Sequence, residues 1–183
     1  MGKNQAPLDF ISINRGSACY VCRMKLLSGG QSGDDRAVLD VALARGLPYG
    51  GWCPKGGWAE DCPTPPGLLT KYPHLKETPL PDPAQRTEWN VRDADACLIL
   101  VGAGGPEISA GTTLAKELAQ RYRKPLLVVD LREPGILERA ASWLRAQQTK
   151  HGNGFTLAIG GPRESEAPGI YQRAVRFIAA LLA

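Results

Sequence analysis

Short unbroken apolar runs alternate along this chain with longer stretches in which apolar positions recur every three or four residues. The first run, 23–28 (…Met24-Lys-Leu-Leu27-Ser28), reads as a buried strand and breaks at Gly29-Gly30 into a helix over 33–45, stopped by Gly46. A second strand is predicted over 47–53, with a glycine-weakened end. A proline-rich stretch, 53–82, reads as one long loop, and a loop of that length inside a compact domain usually serves function. A helix over 84–94 leads into the apolar run 97–101, a central-strand pattern. Next come a glycine-rich loop (102–111), a helix (112–123), a strand (125–130) and a helix (136–147). The strand 155–159, a third glycine loop (160–165) and a helix with good apolar spacing (169–182) complete the pattern.

Unbroken apolar strands alternating with helices imply an α/β fold: a three-layer, doubly wound, mostly parallel and Rossmann-like sheet. Right-handed crossovers place all strand C-termini on one edge, where such sheets bind ligands. All three glycine loops follow strands, so all three are expected on that edge. Residues 1–22 break the pattern and are set apart as an N-terminal extension, poorly ordered in part, with 23–183 as the ligand-binding domain.

Composition narrows the function classes. With 43% hydrophobic and 22% charged residues over 183 positions, the chain has the make-up of one globular domain. The net charge of +4 is mild and its basic residues are dispersed, which argues against a nucleic-acid surface and agrees with a small anionic ligand. No apolar run approaches the roughly 20 residues of a membrane span. The N-terminus lacks the charged-then-apolar pattern of a signal peptide. Five cysteines, an odd number, argue against a disulfide framework, so the expected location is the cytoplasm. Cys19 and Cys22 have metal-ligand spacing, but Cys53 and Cys62 are widely spaced and Cys97 falls in a strand, so no metal site is expected.

The candidate chemistry lies in the loops. Gly29, Gly30, Gln31, Ser32 and Gly33 form a strand–turn–helix junction without the Gly-Lys-Ser/Thr ending of a nucleotide triphosphate loop. Its glycines allow close backbone approach, and the N–H groups of the helix start suit an anion. The bland alternative is an ordinary tight turn. Gly111, Thr112 and Thr113 open the third helix, where hydroxyls and N–H groups suit a phosphate, or where Ser109 or Thr112 merely caps. Gly161, Arg163, Glu164 and Ser165 put a guanidinium at a strand end, against the alternative of a surface Arg163–Glu164 pair. Lys55 and Arg86 could add charge, Arg36 lies in the first helix, and Trp52 or Trp58 could stack on a ligand. Arg86 and Asn90 share a helix face. No Ser-His-Asp or Cys-His set emerges, and His74 and His151 are each isolated, so no catalytic residue is assigned.

Taken together, Ser28-Gly-Gly-Gln-Ser-Gly-Asp-Asp-Arg-Ala-Val-Leu-Asp40, Gly50-Gly-Trp-Cys-Pro-Lys-Gly56, Gln85-Arg-Thr-Glu-Trp-Asn-Val-Arg-Asp93, Gly111-Thr112 and Gly161-Pro-Arg-Glu-Ser165 resemble the molybdenum carrier proteins. That family is similar to a YpsA-related branch of the SLOG/LOG Rossmann-like superfamily, and the resemblance covers about 24–182. It implies a carrier of molybdenum cofactor (molybdopterin) or a nucleotide, held by the loop residues named above, with molybdoenzymes as partners and a homo-oligomeric state. It also raises an alternative, a phosphoribohydrolase-like enzyme acting on a nucleotide N-glycosidic or phosphate bond, or a nucleotide-sensing subunit. Asp35, Glu60 or Glu88 would then be the acid/base. Two departures matter. The Pro-Gly-Gly-x-Gly-Thr-x-x-Glu pattern of the phosphoribohydrolases is not matched around Gly104-Gly105 and Gly111-Thr112. Asp34, where the family has Val, places a negative charge near the expected anion site unless it faces solvent or pairs with Arg36.

Overall fold

A computed structural model describes residues 24–183. The chain runs β1 (Lys25–Leu27), α1 (Asp34–Arg45), β2 (Tyr49–Gly50), β3 (Trp52–Cys53), β4 (Lys76–Glu77), α2 (Pro83–Asp93), β5 (Ala96–Val101), α3 (Ala110–Arg121), β6 (Leu126–Asp130), α4 (Ile136–His151), β7 (Thr156–Gly160) and α5 (Ile170–Leu181). Five strands form the main sheet in the order β2-β1-β7-β5-β6, and every pairing is parallel. β7, last in sequence, lies between β1 and β5, from which the chain departs in opposite directions. The edge above β1, β7 and β5 is therefore the switch in strand order, the place where open α/β sheets leave a crevice.

Side-chain alternation along the strands divides the core into two layers. Leu26, Leu98, Leu100, Leu157 and Ile159 pack against Val38 and Leu39 of α1, Ala140 and Leu144 of α4, and Ala174 and Ile178 of α5. Leu27, Cys97 and Ala158 face the other way, onto Val91 of α2 and Leu118 and Ala119 of α3. The helix ends follow their local chemistry. Gly46 ends α1 in the left-handed region, and the Asp82 carboxylate accepts the Ala84 N–H with Pro83 at the first helical position of α2.

Three expectations change. The strand predicted over 47–53 is split at Gly51, whose φ is 120° and where a Cβ would lie 2.3 Å from the Ser28 carbonyl oxygen. Tyr49–Gly50 therefore pairs with β1, whereas Trp52–Cys53 turns away and pairs with Lys76–Glu77 in a separate two-stranded sheet. The 53–82 stretch is accordingly not one loop. It contains 3-10 turns at Lys55–Gly57 and Gly67–Thr70, and it is anchored by Leu68, Tyr72 and Leu75 in the core. Helix α4 also runs one turn past its expected end at 147, to His151, before Gly152 stops it.

Candidate functional site

A cavity of about 260 Å³ opens at the C-terminal edge of the sheet, between β1, β7 and β5 below and α2 and α3 above. Leu27, Cys97, Ile99 and Ala158 provide an apolar floor, with Val91, Leu114 and Ala115 closing the sides. Burial pushes the Cys97 thiol up to about 11, so it remains a protonated apolar filler at neutral pH. The polar groups in and beside the cavity fall into three sets.

The first set is the start of α3. The Ser109 hydroxyl accepts the Thr112 N–H at 3.3 Å, a standard cap. Ala110 and Gly111 line the cavity, and first-turn N–H groups have no carbonyl partner within their own helix. The Thr112 hydroxyl is buried and has no hydrogen-bond partner. Arg163, a third exposed, lines the same mouth from the loop after β7. This end of the cavity therefore carries unspent donors, a helix-dipole field and a cation.

The second set is an ion pair inside the cavity wall. Arg86 Nη1 donates to Asp35 Oδ2 at 2.8 Å, with both side chains largely buried. Burial raises the Asp35 carboxyl pKa, and this outweighs the opposing effects of Arg86, the Gln31 N–H and Arg36. Arg86 Nε is buried and without a partner. Two loop glycines make room for this pair. A Cβ at Gly29 would lie 2.1 Å from Arg86 Nη1, and one at Gly160 would lie 2.7 Å from Asp35 Oδ1.

The third set ties the loops after β1 and β7 together beside the mouth. The Ser32 hydroxyl donates to Glu60 Oε1 and accepts the Glu164 N–H at 3.1 Å. The Ser165 hydroxyl donates to Glu60 Oε2 at 2.7 Å, and Arg163 Nη1 lies 3.9 Å from the same oxygen. Gln31 Oε1 accepts the N–H groups of Ser32 and Glu60 at 3.2 and 2.9 Å. Gly33 takes a φ of 77°, and a Cβ there would lie 2.4 Å from the Pro162 carbonyl oxygen.

The sequence candidates thus separate. Gly29, Arg86, Gly111, Thr112, Gly161 and Arg163 line the cavity, together with Asn90. Gly30, Gln31, Ser32, Gly33, Thr113, Glu164 and Ser165 do not. Glu164 instead accepts the N–H groups of Gly169 and Tyr171 and caps α5. Thr113 donates to the Pro106 carbonyl. Arg36 lies outside, donating to both oxygens of Asp61 at 2.8 and 2.9 Å and to the Gly30 carbonyl. Lys55 is exposed in its 3-10 turn. Trp52 packs edge-on against Trp89 rather than lining the cavity, and Trp58 does not line it either. Asn90 spends its amide on the Trp52 backbone. Among the expected carboxylates only Asp35 lines the cavity, while Glu88 accepts the Tyr122 hydroxyl elsewhere. Cys19 and Cys22 fall outside the described residues.

Asp34 neither faces solvent nor pairs with Arg36, contrary to both expected escapes. It is fully buried, neither carboxylate oxygen has a partner, and Oδ2 lies 2.2 Å from where a Gly161 Cβ would be. Burial first, then the charges of Asp35 and Glu164, raises its pKa well above the usual carboxylate range.

Sequence reasoning placed Asp35 only among alternative catalytic acids, and it passed over Ser28 and the Ser109–Ala110 turn as cavity lining. Asp35 and Arg86 stand 51 residues apart, so no local pattern joins them.

The family model of the circularly permutated YpsA SLOG family matches residues 26–182. No curated protein matches the chain. Among solved structures, the crystal structure of "Putative molybdenum carrier protein" from Syntrophus aciditrophicus SB is 38% identical, with a TM-score of 0.75. That match covers 88% of this chain and 96% of the other.

Proposed function

The chain belongs to the circularly permutated YpsA SLOG family, and from that premise we propose that it is a carrier for a phosphate-bearing pterin or nucleotide-like ligand, molybdenum cofactor included, bound in the cavity beneath α2 and α3. The name of the Syntrophus aciditrophicus protein supports the cargo class. The observation that carries the reading is the asymmetry of the cavity. One end joins the open start of α3, the orphaned Thr112 hydroxyl and Arg163, and away from it lie an apolar floor and the Asp35–Arg86 pair in the wall. A phosphate satisfies the first and a flat heterocycle covers the second. The Asp35–Arg86 pair offers the heterocycle edge an acceptor and a donor. Any molybdenum arrives as cargo with its pterin; among the described residues no group of three metal-ligating side chains converges. Isothermal titration of the folded protein with molybdenum cofactor and a panel of nucleoside monophosphates tests this. A single site for at least one of them is expected, and no binding to any would overturn the reading.

A hydrolase acting on a nucleotide in the same cavity is the second reading, and one observation favours it. Asp35 lines the cavity, and burial raises its carboxyl pKa, the direction a general acid needs. Free base released from a nucleoside monophosphate, and lost in Asp35→Asn, would establish it. Without turnover the carrier reading stands alone.

A further inference from the structure

The turn at 59–62, closed by the Ala59–Cys62 bridge, places one carboxylate on the loops after β1 and β7. Glu60 there receives the hydroxyls of Ser32 and Ser165 on separate oxygens, with the Arg163 guanidinium beside it. Burial raises its pKa, but the hydrogen bonds from Ser32 and Ser165 and the charge of Arg163 outweigh that and hold it below the usual carboxylate range. The cluster is an assembled anion cradle: two hydroxyl donors and a cation, contributed by the two strand-end loops at the switch in strand order. Its occupant is the protein's own side chain. Arg163 also lines the cavity, so the cradle adjoins the α3 end where the ligand phosphate is proposed to sit. Ala59 is fully buried and holds the turn, while the Glu60 side chain remains about a quarter exposed and has solvent to swing into.

We propose that the Ser32–Ser165–Arg163 cradle is a second anion subsite, taking the outer phosphate of a diphosphate-bearing ligand when the Glu60 carboxylate swings out, and that Glu60 thereby sets the preference between monophosphate and diphosphate ligands. This rests on the proposed phosphate position at α3. Two hydrogen bonds to a charged group keep the cradle closed most of the time, so apparent diphosphate affinity is reduced by the fraction that is open. An open fraction of about one in ten predicts roughly a tenfold gain once the carboxylate is removed.

The test titrates AMP and ADP into the wild type, Glu60→Ala and Glu60→Gln, with a thermal melt of each. Glu60→Gln keeps one acceptor oxygen and offers an N–H to the other hydroxyl, which guards against a folding defect. The expected result is an approximately tenfold gain for ADP in Glu60→Ala, a gain in the same direction for Glu60→Gln, and in both a smaller gain for AMP, because Arg163 also lines the cavity at the α3 end. Adding Ser165→Ala to Glu60→Ala should abolish the gain. If AMP binds all three proteins and ADP gains no more than AMP in either variant, Glu60 is only a staple and the subsite is refuted while the carrier reading survives. If neither nucleotide binds any of them, the carrier reading falls for nucleotides and the subsite falls with it.

Discussion

Replacing Gly111 with alanine separates the start of α3 from the other two loops. Gly111 is the second residue of a 12-residue helix and has no positive φ, and the nearest atom to a built Cβ is Ser109 Oγ at 3.9 Å. The methyl therefore fits without a clash. Alanine is also favoured over glycine in helices by about 0.5–1 kcal/mol. At roughly 2–4 °C per kcal/mol for a domain of this size, the melting temperature should rise by about 1–4 °C. In a helix Cβ tilts toward the N-terminus, so the methyl projects to where an anion on the Ala110 and Gly111 N–H groups would sit. Displacing the anion sacrifices a hydrogen bond to a charged group, worth about 1.5–3 kcal/mol, or roughly 10–100-fold in affinity. Calorimetric titration with AMP, paired with a thermal melt, reads both numbers. A variant with raised stability and unchanged affinity would refute the placement of the phosphate at α3.

Other perturbations address the neighbouring groups. Thr112→Val removes an orphaned buried hydroxyl and should leave stability equal or higher by about 1 kcal/mol in urea denaturation, with weakened ligand binding. Arg163→Ala, a third exposed, should barely move the melting temperature but should lower nucleotide affinity about tenfold or more and flatten its salt dependence. Arg86→Ala leaves Asp35 buried without its cation and should cost about 3–5 kcal/mol in urea denaturation, less in the Arg86→Met/Asp35→Leu double variant. Asp34 titrates with a folded pKa above its unfolded one, so the folded state binds more protons in between, and stability falls as pH rises from about 4 upward. Asp34→Asn should remove that decline and raise stability at pH 7 by about 1–3 kcal/mol, read as melting temperature against pH.

The fold was legible because its information is local. Ala96–Val101 is buried at every position and reads as an unbroken apolar run, and each crossover helix carries its own cap or stop. What escaped was long-range. Nothing between 47 and 53 announces that the Ser28 backbone presses on Gly51 and divides the strand. The glycine loops showed the right edge of the sheet, but a glycine has the same signature whether it admits a ligand or a side chain. Gly29 makes room for Arg86, and Gly33 for the Pro162 carbonyl, whereas a Cβ at Gly111 would crowd nothing. The sequence expectation treated all three loops as anion contacts. Their geometry divides them into a start of helix with free donors, a wall built around an ion pair, and a cradle already holding Glu60.

The most direct measurement is an amide-resolved nitrogen–proton correlation spectrum titrated with AMP. The expected result is saturable downfield shifts of the Ala110 and Gly111 amides, with the side-chain resonances of Arg163 following the same isotherm. Shifts confined to the amides of Gly29, Gly30, Ser32 and Gly33, with α3 silent, would contradict it.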